Sequence, residues 1–372
     1  MKNVNIAILG AGRAAQLHLD AYKKVYGMQI NIKGIYDPDA QRATSLSKTY
    51  HIANQFDSIE EILNDPSVDV VDICTPPFTH KDLIIQILQN NKHVICEKPL
   101  CGFFGKGTTP GKQMYQTVKK DLDELERVIH SSKKKFFYAE NFIYAPAVIK
   151  AAEIIKNKKS KILFAKGEES LAGSSSKVAN LWDKTGGGSL IRVGCHPLSA
   201  ILYLKRLNQK NITITDVKAD IGCVTNSLSK KQHRFIKAQP VDVEDTAVVT
   251  LTFSDNSKAL IIACDTRLGG SKNYIELYCN DTFMECNLTL NDLMKTYFLD
   301  EEGLDNVEIS EMLQTKTGWN NPFIEDDIIR GYANEMQDFM ECIAYNRKPK
   351  SDFAIARDTI DVVYKAYINK EF

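Results

Sequence analysis

Apolar residues fall in two rhythms along the first third of the chain. Short runs at 4–9, 30–36, 68–74 and 93–96 predict strands, the third of them almost wholly apolar. Between them, apolar positions recur at helical spacing over 13–26, where Ala14, Leu17, Ala21 and Val25 share a face, and over 39–50, 59–63 and 81–90. Strands alternating with helices imply crossover connections and a parallel sheet covered on both faces. The predicted fold class is α/β, opening with a doubly wound sheet that a helix at 118–131 and a strand at 135–140 complete.

Residues 101–116 interrupt the rhythm. Four Gly and one Pro in CGFFGKGTTPGKQMYQ predict a long loop rather than an element. Phe103, Phe104 and Tyr115 give it three roles to choose among: covering a ligand, joining a subunit contact, or lying solvated without one.

After Tyr144 the order changes. A helix over 146–156 opens with Pro146, which suits a first turn. Extended segments then follow one another at 162–168, 212–224, 246–253, 258–264 and 274–279, with Asp255-Asn256 as a hairpin turn. Strands without intervening helices predict a largely antiparallel, open sheet in a second, α+β domain. Helices at 328–345 and 354–369 close the chain. The expected division is 1–140 for the first domain and 141–372 for the second.

The composition narrows the partners. Lys plus Arg equals Asp plus Glu at 47 each, which gives no support to nucleic acid or an anionic membrane and favours a small-molecule substrate. Nine cysteines, an odd number with no CxxC pair, argue against a disulfide framework or a zinc ribbon, and no metal is expected. With no long apolar run and a strand within a few residues of Met1, the expected location is cytoplasmic.

Gly10-Ala11-Gly12-Arg13-Ala14-Ala15 follows the first strand and opens the first helix. Gly10 permits a tight turn there. Gly12 lets backbone N–H groups approach a pyrophosphate at the positive helix end. Ala15 stands where a third Gly is usual and is small enough for close packing. An acidic residue, Asp37, ends the second strand, where it accepts bonds from ribose hydroxyls and repels a 2′-phosphate. This context predicts a Rossmann dinucleotide site with NAD preferred, and Arg42 nearby keeps NADP as the lesser alternative.

Two more motifs end strands of this sheet: Thr75-Pro76-Pro77 with His80 downstream, and Glu97-Lys98-Pro99-Leu100. Together with the glycine turn, with Gly186-Gly187-Gly188 before His196, with Glu244-Asp245 entering a strand, and with the closing helices, they resemble the Gfo/Idh/MocA family, named for glucose–fructose oxidoreductase and inositol dehydrogenase. The resemblance implies that Lys98 binds the substrate hydroxyl beside the reacting carbon and that His196 is the general acid/base. Thr75, Pro76 and Glu97 then line the nicotinamide and its ribose, joining Gly10, Gly12, Arg13, Ala14 and Asp37 of the dinucleotide site, and His80 stands beside the cofactor as a capping or orienting residue rather than a catalytic one. The Lys98–Pro99 bond is expected to be cis. Histidine, which titrates near about pH 6.5, suits proton removal from an alcohol, and a lysine ammonium stabilises the charge that develops on its oxygen.

Where the family pattern places an aspartate, four residues before the histidine, this chain has Arg192, and Ser199 stands at a second acidic position. Either Arg192 holds an anionic or strongly polar group of the substrate, or Glu140, Asp183 or Glu244 supplies the missing acceptor. Tyr144 is a further substrate candidate from the link between the domains, or a packing residue. The expected activity is NAD-dependent hydride transfer at a ring carbinol carbon of a sugar, glycoside or cyclitol. The alternatives are an NAD-dependent glycosidase that works through transient oxidation and a non-catalytic nicotinamide-dependent regulator. A homo-oligomer, dimer or tetramer, is expected because open sheets commonly pack against a partner's.

Overall fold

The computed structural model describes residues 2–289, 296–298, 301, 315, 317–320 and 327–369. Its first sheet has five strands: β1 (Asn3–Leu9), β2 (Gln29–Tyr36), β3 (Val70–Ile73), β4 (His93–Glu97) and β5 (Phe136–Ala139). They lie in the order β2-β1-β3-β4-β5, all parallel. Helices α1 (Arg13–Tyr22), α2 (Ala40–Tyr50), α3 (Ile59–Asn64), α4 (His80–Gln89) and α5 (Gly111–Ser131) connect them. Val70, Val71 and Ile73 are fully buried, as expected of a strand covered on both faces, where each such side chain contributes about 1.5–3 kcal/mol. Asp72 is buried among them, a costly placement that requires a partner.

Two helices differ from the sequence expectation. Helix α1 stops at Tyr22 rather than at residue 26, because the chain unwinds into Gly27 at φ 77° and the Tyr26 N–H bonds the Gln337 side chain at 2.9 Å. Helix α5 begins at Gly111, seven residues early, since Met114 extends the buried stripe of Val118, Leu122 and Leu125 past Pro110. The loop therefore covers 101–110, and it is anchored rather than solvated. Phe103 N–H donates to the Tyr364 hydroxyl at 2.6 Å, and Trp182 Nε1 donates to the Phe103 carbonyl at 3.0 Å.

After α6 (Pro146–Lys158), the second sheet comprises β6 (Ile162–Ser170), β7 (Ile214–Gly222), β8 (Thr246–Phe253), β9 (Lys258–Cys264), β10 (Lys272–Cys279) and β11 (Phe283–Asn287), in the order β11-β10-β6-β9-β8-β7. Neighbours are antiparallel except β6 and β9, which run parallel at the centre. Strand β11 was not expected from the sequence. The turn between β8 and β9 carries Asn256 at φ 64°. Between β6 and β7 lie α7 (Trp182–Thr185), a π-helical turn (Leu190–Gly194) and α8 (Cys195–Arg206).

Strands β12 (Thr296–Phe298) and β13 (Gly318–Asn320) pair with each other, and the chain closes with α9 (Asp327–Arg330), α10 (Tyr332–Ala344) and α11 (Phe353–Ala366). The first predicted closing helix is split by Gly331 at φ 102°, where a Cβ would stand 2.2 Å from the Asn141 carbonyl. Helix α10 packs on α1, and α11 packs on α5 and α8, so the C-terminal helices return to the first sheet. Tyr144 packs rather than reaching a cleft: it is fully buried, its hydroxyl donating to Asp338 at 2.8 Å and accepting from Ser351 N–H at 3.0 Å. Among the described residues, no helix is long and apolar enough to cross a membrane.

Candidate active site

The strand order reverses at β1 and β3, so the loops leaving their carboxyl ends diverge and open a crevice. Gly10 enters that crevice at φ 96°, and a Cβ there would stand 2.6 Å from the Cys74 carbonyl. Only glycine fits both demands. Gly12 caps α1, and a Cβ on it would meet nothing within 4 Å, leaving open space at a helix N-terminus. A cavity of about 510 Å³ adjoins it, lined by Gly10, Gly12, Asp37, Thr75, Pro76 and Phe78 among others. Backbone donors, room for an anion and the Asp37 carboxylate beside the turn fit one end of a dinucleotide. Arg13 and Ala14 form the first turn of α1, and the Arg13 guanidinium lies 3.3 Å from the Gln16 side chain.

Asp37 faces the turn. Its Oδ2 accepts the Ala11 N–H at 2.7 Å, and its Oδ1 accepts the Asp39 N–H at 2.9 Å. Arg42 turns to Asp39 at 3.3 Å, an exposed pair worth little in itself. Asp37→Asn keeps an acceptor for Ala11 and removes the charge. This variant is expected to bind NAD about tenfold more weakly and to lose much of its discrimination against NADP. Fluorescence titration with both nucleotides checks it, and an unchanged preference would remove Asp37 from that role.

At the ends of β3 and β4, Thr75 Oγ1 lies 2.6 Å from Thr79 Oγ1, and the Lys98–Pro99 peptide bond is cis. His80 holds the place of a capping or orienting residue rather than a catalytic one. It is fully buried, with one ring nitrogen 2.8 Å from the Pro99 carbonyl and the other 2.9 Å from the Thr75 carbonyl. It ties the two motifs together instead. Burial holds it below the ordinary histidine value, against the pull of those two carbonyls. Glu97 is 8% exposed, its Oε2 accepting the Lys98 backbone N–H at 2.8 Å. The Lys98 side chain crosses to the second domain, where Nζ donates to the Arg192 carbonyl at 2.7 Å.

That carbonyl belongs to the π-helical turn, which leads directly into α8 and His196. Such turns displace carbonyls from the regular ladder and recur at functional sites. His196 is 6% exposed and stacked on Phe142, ring centroids 4.8 Å apart and planes at 22°. Its Nδ1 lies 2.6 Å from Glu140 Oε1. Of the three acidic residues considered for the place of the missing aspartate, Glu140 is the one that meets the His196 ring. Glu244 is occupied elsewhere, accepting from Gly188 N–H, Leu190 N–H and the Tyr367 hydroxyl, and Asp183 pairs with Lys184. Arg192 Nη1 is paired with the buried Asp265 at 2.7 Å, which commits part of its fork inside the protein instead of to a substrate. Ser199 shares a hydrogen bond with Thr359 at 2.8 Å.

Three residues of this region were not anticipated. Glu169 and Asn273 are cross-strand partners on β6 and β10, both buried, with Glu169 Oε2 and Asn273 Oδ1 left without hydrogen-bond partners among the described residues. Burial raises the Glu169 carboxyl, and the nearby charges of His196 and Lys98 offset part of the rise. No spacing or motif marks either of them. The third is His18, on the buried face of α1 beside Glu97.

Comparison with known proteins agrees with this geometry. The model of an oxidoreductase family with an NAD-binding Rossmann fold, GFO/IDH/MocA, matches residues 4–124, and that of the GFO/IDH/MocA C-terminal domain matches 166–284. An uncharacterized oxidoreductase of Synechocystis sp. is 24% identical over 74% of this chain and 69% of its own length. Levoglucosan dehydrogenase of Pseudarthrobacter phenanthrenivorans is 23% identical over 81% and 78%. The crystal structure of GenD2 from gentamicin A biosynthesis, in complex with NAD, superposes with a TM-score of 0.79 at 19% identity, covering 99% of this chain and 95% of that one. With both family models matched in order and both sheets in place, the chain belongs to the Gfo/Idh/MocA family of NAD-binding oxidoreductases.

Proposed function

We propose that the protein oxidises a ring carbinol of a neutral, polyhydroxylated substrate, a sugar, glycoside or cyclitol, to a ketone, or runs the reverse reduction. Bound NAD supplies the hydride acceptor. His196 takes the hydroxyl proton at Nε2, because Glu140 occupies Nδ1 and leaves the opposite nitrogen for the substrate. Lys98, braced on the Arg192 carbonyl, stabilises the charge gathering on that oxygen. The stacked Phe142 ring and the burial of both His196 and Glu97 keep water from the reacting atoms.

The observation that carries this reading is the meeting of two domains: a carboxylate-braced histidine from the second stands within electrostatic reach of Glu97, beside the lysine of the first, at the crevice edge of the parallel sheet. The engagement of Arg192 by Asp265 argues against a carboxylated substrate held by that fork. The levoglucosan dehydrogenase relative adds support for an anhydro or cyclic sugar.

The test is a panel of sugars, cyclitols, uronates and glycosides incubated with NAD, following NADH absorbance and product identity together. Net NADH with a matching keto product is the expected result. Released aglycone without net NADH would transfer the site to hydrolysis, and silence across the panel in both directions would sink the proposal.

A further inference from the structure

Helix α1 buries Ala15, His18, Leu19, Ala21 and Tyr22, and His18 is the one imidazole on this otherwise apolar or aromatic face. It is fully buried. Nothing in the hydride-transfer scheme uses it. Strand β3 faces it with Asp72: His18 Nδ1 lies 2.9 Å from Asp72 Oδ2 and 3.1 Å from Oδ1, and the Tyr22 hydroxyl donates to Oδ2 at 2.8 Å. On the other side of the ring, Nε2 stands 3.2 Å from Glu97 Oε1, an ion-pair approach without hydrogen-bond alignment. The second oxygen of Glu97 accepts the Lys98 N–H. A continuous series of contacts, Asp72 to His18 to Glu97 to Lys98, joins the core of the sheet to the turn that carries the ammonium.

The groups around the ring decide its charge. Cys74 Sγ approaches Nδ1 to 3.5 Å, Tyr332 lies with its ring centroid 6.4 Å away, and Glu335 enters from α10. Burial pushes the Cys74 thiol up to about 12 and lifts Tyr22 and Tyr332 as well, so these three are neutral near pH 7, and it lifts Glu335 well above the usual carboxylate range. At the ring itself the remaining charges are the two carboxylates and the imidazole between them, while the Lys98 ammonium and His196 also act on Glu97. Burial opposes a proton on His18, but Asp72 and Cys74 together outweigh it and hold the pKa well above the ordinary value. Burial alone would raise Glu97, whereas His18 holds it below the usual carboxylate range. Two buried carboxylates without a cation would be strongly penalised, and an imidazolium between them relieves that penalty on both sides.

We infer that His18 is a positioning residue, clamped between Asp72 and Glu97 so that the Glu97 carboxylate stays ionised and pointed, and the turn presenting Lys98 stays in register. The inference rests on Lys98 acting as proposed above. Without the clamp, Glu97 is a buried acid that gains a proton near neutrality and turns from acceptor to donor.

The full chain carrying His18→Gln, Glu97→Gln or both tests this. In nitrogen NMR of histidine-labelled protein without cofactor, the wild-type signal that His18→Gln removes should be an imidazolium at about pH 8, and Glu97→Gln should lower the pH of its deprotonation. In turnover, His18→Gln should lose about tenfold near pH 7 and recover as pH rises and Glu97 ionises, with NAD affinity within a few-fold of wild type. The double variant should lack that recovery.

A neutral His18 at about pH 8, or a loss in His18→Gln that is the same at every pH, overturns the inference. If His18→Gln does not fold, the NMR titration of wild type against Glu97→Gln decides, with the other histidine signals assigned by exclusion. A wild type that turns over no substrate refutes the hydride-transfer reading instead, and leaves the NMR result on the clamp standing.

Discussion

His196→Ala and Lys98→Ala should each lower turnover by about 10²–10⁴-fold while NAD still binds within a few-fold of wild type. Neither side chain has an understudy. Cys195 neighbours the histidine, but burial pushes its thiol far above the range in which it accepts a proton from an alcohol. Glu169 is buried nearby on β6, and burial raises its carboxyl against the pull of His196 and Lys98. Lys98 is anchored on a carbonyl of the other domain, so its truncation removes a charge and a strut at once. Arg192 cannot swing in to replace it while Asp265 holds its guanidinium. Because His196 is not among the residues lining the cavity at the glycine turn and Asp37, the histidine variant should bind NADH normally in a fluorescence titration, and steady-state rates then isolate the chemical step. Turnover at the wild-type level in either variant removes that residue from the mechanism.

The fold was largely legible because its first sheet is built of strands that must be apolar on both faces and helices that must be apolar on one. The glycine turn is legible for a similar reason: at Gly10 both φ and the Cys74 carbonyl exclude any side chain. Misreadings came where a local signal was overridden or too short. The glycines of 101–116 suggested a loop throughout, yet Met114 already stands four residues before Val118, and that stripe extends the helix back to Gly111. Strand β11 is only five residues long and takes its register from β10.

The site divides in the same way. Lys98 and His196 are flagged by motifs, whereas Glu169 and Asn273 become neighbours only through pairing between distant strands. His18 carried a readable signal, a histidine on a buried helical face, but its partners Asp72 and Glu97 come from two other strands. Tyr144 and His80 were drawn toward the ligand by sequence position, and the hydrogen bonds that use up their polar atoms place both in the framework.

Replacement of Glu140 should be nearly as damaging as loss of His196 itself, and the choice of replacement should matter. A carboxylate only accepts hydrogen bonds, so in the proposed mechanism the nitrogen 2.6 Å from Glu140 carries the proton and Nε2 keeps its lone pair for the substrate. Glutamine is close in shape but can offer its NH₂ group to Nδ1, which would favour the opposite tautomer, with a proton already on Nε2. In hydrolase triads the analogous exchange of a carboxylate for an amide costs about 10⁴ in kcat through that mistake. Here the imidazole is also stacked on Phe142, which preserves ring orientation, so a loss of about 10²–10³ is expected for Glu140→Gln. Alanine leaves the ring stacked and free to take either tautomer, so Glu140→Ala should lose less, although it opens a buried hole beside the ring. Because Glu140 contacts no part of the glycine turn, NAD affinity should be unchanged in both. Nitrogen NMR of His196 should report the tautomer directly. A Glu140→Gln enzyme within a few-fold of wild-type turnover would mean that the histidine does not depend on this carboxylate, and that the substitution of Arg192 for aspartate is compensated from elsewhere.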